Sequence, residues 1–397
     1  MTRFWALSAA GFTATAISFG PARMGFGLFV PEFRAAFALS SADIGLISGL
    51  GFLGFFIGLL VAQALLARRG PELPVVAGLV VATAGLLSVA LAPNAPVLAG
   101  GVFLATASAG FAWTPFNDAV HRTVPDWWRP AALSTISSGT SIGVAGAGLS
   151  ALAMVGLGLS WRACWALFAG ASALALWVNL RALRDLDRAP EAMPRAWRGL
   201  VQPVAAPLFG IGFVYGTTSA IYVAFAADRA VAAGGLPGVP VDAVPALIFI
   251  LYGLCGFSGL MTGRLKARLG LPGLLRVLML AGAGSLALVA LAPGHWAGLI
   301  PSAGLQGVHV MMTSAVLAFW SERLYPGLPS LSFTAALLAM AAGSVLGPAV
   351  AGVMSGMAGP RAMFLVAAAL PALLAAGLRD RHAHDRPAPG ARAGQGT

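Results

Sequence analysis

Long apolar runs alternate along the chain with short gaps of charge, proline and glycine, and the runs repeat at close to the length that crosses a bilayer. A hydrocarbon core of about 30 Å needs about twenty apolar residues in a helix. On that ruler the sequence predicts twelve spans, near 5–30, 44–66, 74–92, 96–119, 131–157, 162–180, 200–226, 243–263, 274–292, 297–319, 331–357 and 361–378. The longest gap, RALRDLDRAPEAMPRAWRG at 181–199, is mixed in charge, holds two prolines and reads as a linker. It separates a six-helix bundle at 1–180 from another at 200–378, and the polar, Pro/Gly-rich tail at 379–397 is expected to be disordered. The first run exceeds a signal-peptide core and more spans follow it, so it reads as a retained helix.

Composition agrees. Of 397 residues, 58% are hydrophobic and 9% charged, with a mean hydropathy of +0.86. A soluble domain carries about 25% charged residues, so the chain reads as an all-α membrane protein. A net charge of +11 would point to nucleic acid in a soluble protein. Here the basic residues occupy the gaps, which is the signature of membrane topology, and nucleic acid is not expected as a partner. With the N-terminus inside, nineteen of the twenty-four lie in the termini and even-numbered loops, while only Arg34, Arg162, Arg229 and Arg361 lie on the opposite face. That asymmetry predicts a multi-pass protein of the inner (cytoplasmic) membrane with both termini cytoplasmic. Cys164 and Cys255 stand singly in apolar runs and read as packed thiols, with no disulfide or metal spacing.

One basic residue belongs to neither face. Arg23 sits in ISFGPARMGFGLFVP at 17–31, inside the first span. An arginine near mid-membrane costs about 2.5–3.5 kcal/mol on insertion scales, which a water-filled cavity, a partner carboxylate or an anionic ligand must offset. The competing reading is a shallower arginine that snorkels to the headgroups.

The two halves repeat at an offset of 200. QALLARRG at 63–70 aligns with GRLKARLG at 263–270, pairing Leu65 with Leu265, Ala67 with Ala267, Arg68 with Arg268 and Gly70 with Gly270. Arg162-Ala163 before span 6 echoes Arg361-Ala362 before span 12, and Gly143 echoes Gly343. Three echoes in register point to duplicated six-helix halves.

These features resemble the major facilitator superfamily, whose loop between spans 2 and 3 has the form G-x-L-x-D-R-x-G-R-R, with a weaker copy between spans 8 and 9. Gly263, Arg268 and Gly270 fit the second copy. The first keeps Arg68 and Gly70 but has Gln63 for the glycine, Ala67 for the acid and Pro71-Glu72 for the basic pair. The resemblance implies two pseudo-symmetric six-helix bundles and a secondary transporter working by alternating access, with these loop residues gating it. Proton-coupled drug exporters of the family carry an arginine in helix 4 and a proline in the helix 5 glycine motif. Span 4 has no such arginine, and Gly139, Gly143, Gly146 and Gly148 of span 5 have no such proline.

In that family spans 1, 4, 7 and 10 line the central cavity. Span 10 offers Gln306, His309 and Thr313 on one helical face. His309 fits either a proton-accepting or substrate-binding role, or simple packing against a neighbouring backbone. Span 7 offers Tyr215, Thr218 and Tyr222, which suit a cavity wall, packing or the interface belt, Tyr222 being the more interfacial. Span 4 offers Trp113 and Asn117 with Pro115 as a bend, while Trp127 and Trp128 read as interface anchors. Among the acids, Asp118 reads as a gate or structural pair with His121 or Arg122, Glu322 ends span 10, Asp228 ends span 7 and Asp43 caps span 2.

No acid is placed at mid-depth, so Arg23 in the cavity favours an anionic substrate. The expectation is therefore a monomeric transporter of a small organic anion in the lipid bilayer, needing no cofactor beyond coupling to a proton or an exchanged anion. The alternatives are an exporter of hydrophobic or drug-like compounds by proton antiport, a polytopic membrane enzyme, or a transport-dead sensor. The scattered histidines show no catalytic cluster, and no phosphate-binding loop is present for a nucleotide-driven pump.

Overall fold

A computed structural model of the protein describes residues 2–184, 200, 202–379 and 383. The middle of the predicted linker and nearly all of the predicted disordered tail lie outside the described residues. Among the described residues the regular structure is entirely helical. Ten helices are long and apolar enough to cross a membrane. One of them, Val241–Leu291, is 51 residues long and breaks at Gly270 into two crossings, spans 8 and 9. Span 1 is not among the ten: it is broken into three helices, Thr2–Phe19, Pro21–Leu28 and Val30–Phe37, the first of them 18 residues long but rich in Ser and Thr. With these two accounted for, the twelve expected spans are present.

The others are Ser41–Arg69 (span 2), Glu72–Ala90 (span 3), Ala95–Thr123 (span 4), Arg129–Gly156 (span 5), Trp161–Ala182 (span 6), Pro203–Ala232 (span 7), Trp296–Leu324 (span 10), Pro329–Ala358 (span 11) and Pro360–Gly377 (span 12). The described ends of the linker, at 182–184 and 202, lie at the same end of the bundle as the 2–3 and 8–9 turns, the linker face. Span 1 runs seven residues beyond its predicted end. Asp43 is not the N-cap of span 2: Ser40 is, and Asp43 closes the capping box, its carboxylate accepting from the Ser40 amide at 2.9 Å while Ser40 Oγ accepts from the Asp43 amide at 3.1 Å.

The repeat is visible in the backbone. Gly70 ends span 2 at φ 72°, ψ −172°, and Gly270 ends span 8 at φ 69°, ψ 170°. A residue with a Cβ is strained there, which explains why both loop motifs keep a glycine at the same register. The second glycine pair also matches. A Cβ on Gly143 would lie 2.1 Å from the Ala16 carbonyl oxygen, and one on Gly343 would lie 2.1 Å from that of Phe213. Span 5 therefore lies directly on the backbone of span 1, and span 11 on that of span 7. Between the halves, span 2 packs along span 11 and span 5 along span 8. Small residues permit such approaches where no hydrophobic effect drives helices together.

These contacts predict a contrast within one helix. Gly143→Ala should lower the thermal transition of the detergent-solubilised protein, since the new methyl must displace backbone at a cost of about 1–3 kcal/mol. Gly146→Ala, three residues on with nothing within 4 Å of its would-be Cβ, should hold or raise it. A nano-DSF comparison reads both.

Candidate substrate cavity

A cavity of about 760 Å³ opens between the halves on the linker face. Its walls come from spans 1, 4, 7 and 10, as the resemblance implies, and also from span 2 (Phe55, Leu59), span 5 (Leu133, Ser137, Thr140) and span 11 (Phe333, Leu337, Met340). At the mouth stand Asn117, Asp118, His121, Asp126, Arg129 and Glu322.

Arg23 closes the deep end. Span 1 breaks at Gly20, where ψ is −106°, and Pro21 begins a new eight-residue helix with Arg23 in its first turn. Proline has no N–H to offer Ile17 and its ring crowds that carbonyl, so the break follows from sequence. The guanidinium lies among three rings, 4.7 Å from the centroid of Phe55 and 5.5 Å from those of Phe19 and Phe52. Its Nε is buried without a hydrogen-bond partner, and no carboxylate forms an ion pair with it among the described residues. It does not snorkel. Cation–π contact recovers part of the desolvation cost, and the side chain's partial exposure to the cavity recovers more.

Trp113, Asn117 and Tyr215 also face the cavity. Span 4 loosens into a 3-10 turn at Ser108–Phe111 before restarting at Trp113. Pro115 is the cause, although the bend lies four residues upstream of it, because the bond lost is the one to Phe111. Tyr215 donates its hydroxyl to the Val310 carbonyl at 3.1 Å, so its ring rather than its donor borders the cavity. Asp118 accepts from Arg122 Nε at 2.5 Å, one turn along the same helix. Arg129 donates to the Val124 and His121 carbonyls and pairs with Asp126, folding the 4–5 connection onto itself.

The rest of the expected set stands elsewhere. Thr218 bonds back to Val214 in its own helix. His309 places Nδ1 2.8 Å from the Leu278 carbonyl oxygen, and its ring fills the space where Gly282 lacks a side chain. It therefore faces span 9, not the cavity. Gln306 is 1% exposed beside it, with neither amide atom bonded to protein. Tyr222 is fully buried rather than interfacial and meets Tyr252 edge-on, ring centroids 6.2 Å apart. Trp127 is 78% exposed, as an anchor would be. In the loop motif, Gln63 accepts a 3.3 Å bond from Thr334 of span 11, so the degenerate first position joins the two halves. Sequence does not single out Phe55, Met24 and Met340, because apolar positions on apolar helices carry no mark of the neighbour they face, nor Ser314, one of several serines and threonines on spans that pack into the core.

The opposite face is shut. A Cβ on Gly27 would lie 1.9 Å from the Val223 oxygen, so spans 1 and 7 touch backbone to backbone one turn beyond Arg23. Gly45 and Gly352 bring spans 2 and 11 together, and Gly148 meets the Ala246 carbonyl of span 8. A pocket of about 10 Å³ bounded in part by Arg23, Ser48 and Thr106 lies on this side. Across the same seam Arg34 donates Nε and Nη2 to the two oxygens of Asp228, at 2.9 and 2.8 Å.

Two broken helices, a duplicated bundle and a central cavity open to one face define the class as a transporter fold. A family profile of the Major Facilitator Superfamily matches residues 11–292, and the chain belongs to that superfamily. No curated protein matches its sequence. Among solved structures, it is similar to the nucleoside transporter NupG (TM-score 0.71, 15% identity, 97% of this chain and 100% of that one covered). It is also similar to a bacterial homolog of the human lysosomal transporter Spinster in an inward-facing, unoccupied conformation (0.71, 18%, 98% and 98%). A variant of the E. coli fucose:proton symporter FucP is similar at 0.61 and 18%, with 96% and 98% covered. At these identities the likeness establishes the fold.

The seam predicts a conformational phenotype. Arg34 and Asp228 are 33% and 18% exposed, which discounts even a two-pronged pair to about 1 kcal/mol. Asp228→Asn should therefore raise the rate at which a thiol at Ser48→Cys reacts from the shut face about fivefold. The swap Arg34→Asp with Asp228→Arg should restore the slow rate. Protein retaining Ser48 subtracts labelling at Cys164 and Cys255.

Proposed function

We propose that the protein is a secondary active transporter that carries a small organic anion across the cell's inner membrane by alternating access. The superfamily and the similarity to other transporters support the transport class. The excess of basic residues on the linker face supports its assignment to the cytoplasm, which makes this the inward-open state. Likeness to an inward-facing conformation of the Spinster homolog agrees. Rocking the two halves about spans 2, 11, 5 and 8 would seal the cavity mouth and part the contacts of Gly27 and Gly45.

One observation carries the choice of an anion. Arg23 is a cation at the closed end of the cavity, with an unpaired Nε and, among the described residues, no carboxylate paired with it. A carboxylate there gains a charge-assisted bond in a low-dielectric enclosure. The apolar walls favour the second reading, export of hydrophobic compounds. That reading leaves the guanidinium unused.

In proteoliposomes, Arg23→Gln should reduce uptake of a transported radiolabelled carboxylate at least tenfold, while Arg23→Lys, which keeps charge without the planar fork, should retain part of it. Repeating the assay with and without a pH gradient reads coupling to a proton. Carboxylate uptake that persists unchanged in Arg23→Gln, alongside efflux of neutral fluorescent dyes, is the result that would sink the anion reading in favour of export.

A further inference from the structure

The deep end of the cavity constrains the substrate beyond its charge. Among the described residues Arg23 is the sole cation there: Arg129, the other cavity-lining arginine, stands at the mouth and is spent on Asp126 and two carbonyls. A second carboxylate on the substrate would have no counter-charge to meet. Phe19 and Phe55 lie against the guanidinium, and Met24, Leu59, Val310 and Met340 share the cavity wall with them. None donates a hydrogen bond through its side chain, the methionine thioethers accept only weakly, and the Tyr215 hydroxyl has already given its proton to Val310. Hydroxyl groups on a sugar-like substrate would find few partners, Asn117, Ser137, Thr140 and Ser314, and those turned to the other walls would be stripped of water against hydrocarbon. Rings and thioethers do accept a flat or branched apolar body, and methionine adapts to its outline. At about 760 Å³ the cavity is also far larger than a two- or three-carbon acid needs.

We infer that the transported species is a monocarboxylate with an aromatic or branched hydrocarbon body, its carboxylate on Arg23 and its body on the Phe55, Met24 and Met340 wall. This rests on the proposed anion transport and narrows it. It also accounts for the two features that pull apart the competing functions, a lone buried cation and apolar walls, with one ligand. Asn117 and Ser314 on the outer walls can meet one polar substituent at the end remote from the carboxylate.

Binding of a defined panel to the purified full-length protein tests it, with calorimetry or a thermal shift as the readout. Phenylacetate and 3-methylbutanoate should bind at least tenfold more tightly than succinate, than the polyhydroxylated monoanion gluconate, and than the neutral isostere phenylacetamide. Phe55→Ala should weaken phenylacetate several-fold more than it weakens gluconate, which separates loss of the wall from loss of fold. Succinate or gluconate binding as tightly as phenylacetate, and losing affinity in Arg23→Gln, would overturn the apolar body while leaving anion transport standing. Phenylacetamide binding as tightly as phenylacetate, with Arg23→Gln altering neither, would overturn the anion reading itself. Failure of both apolar acids to bind overturns the inference as well.

Discussion

The dehydration of one guanidinium is the constraint that orders this structure. A charge at the depth of Arg23 is tolerated only where polarisable groups, water or a counter-ion stand in for bulk solvent. Three phenylalanine faces do part of that work, and a cavity does the rest. To bring the side chain to the cavity wall, span 1 must turn, and the Gly20-Pro21 break supplies the turn. The break also starts a new helix beside the guanidinium, whose positive dipole end adds to the attraction for an anion rather than opposing it.

Closing the site on one side is a matter of backbone proximity. Gly27 meets Val223, Gly45 meets Gly352 and Gly148 meets Ala246, each at a separation that a methyl group would prevent. Such contacts gain dispersion energy over many atoms without any single strong bond, so they can part and re-form. The Arg34–Asp228 pair at the rim is of the same modest kind, partly exposed and hydrogen-bonded in a favourable fork. A seal of many small terms suits a protein whose two main states must lie within a few kcal/mol of each other.

How far the sequence could be read follows from which physical property each feature leaves in it. Twelve spans, their split into halves and the 200-residue repeat were legible because bilayer crossing needs long apolar runs, and because Gly70 and Gly270 are required by backbone angles only glycine adopts freely. Arg23 was legible for the opposite reason: a charge in an apolar run is conspicuous. Helix rotation was not. The spacing of Gln306, His309 and Thr313 fixes that they share a face, but in a helix apolar all round nothing local says whether that face meets solvent, substrate or another helix. The partner proves to be span 9, where Gly282 makes room for the imidazole. Tyr252 escaped notice because it lies on span 8, outside the set of helices expected to line the cavity. Asp43 was misassigned as a cap because the capping box places an acid and a serine where either can read as the first residue.

Arg23 borders both the large cavity and the small pocket on the shut side, where Ser48, Thr106 and Val223 complete the wall. The guanidinium therefore lies at the partition itself. For the proposed anionic substrate, alternating access then requires little travel: as the halves rock, the water-filled space changes sides while an ion pair formed on Arg23 stays near mid-depth. Moving a carboxylate unaccompanied through hydrocarbon would cost many kcal/mol, whereas keeping it paired and moving the barrier around it requires only that the pair be weak enough to break in water. A lone arginine with no competing protein acid meets that requirement, because in whichever state faces solvent the guanidinium is rehydrated rather than recaptured by a neighbouring carboxylate. On the proposed anion transport, the absence of a mid-depth acid beside it, among the described residues, is thus what would make release as easy as binding.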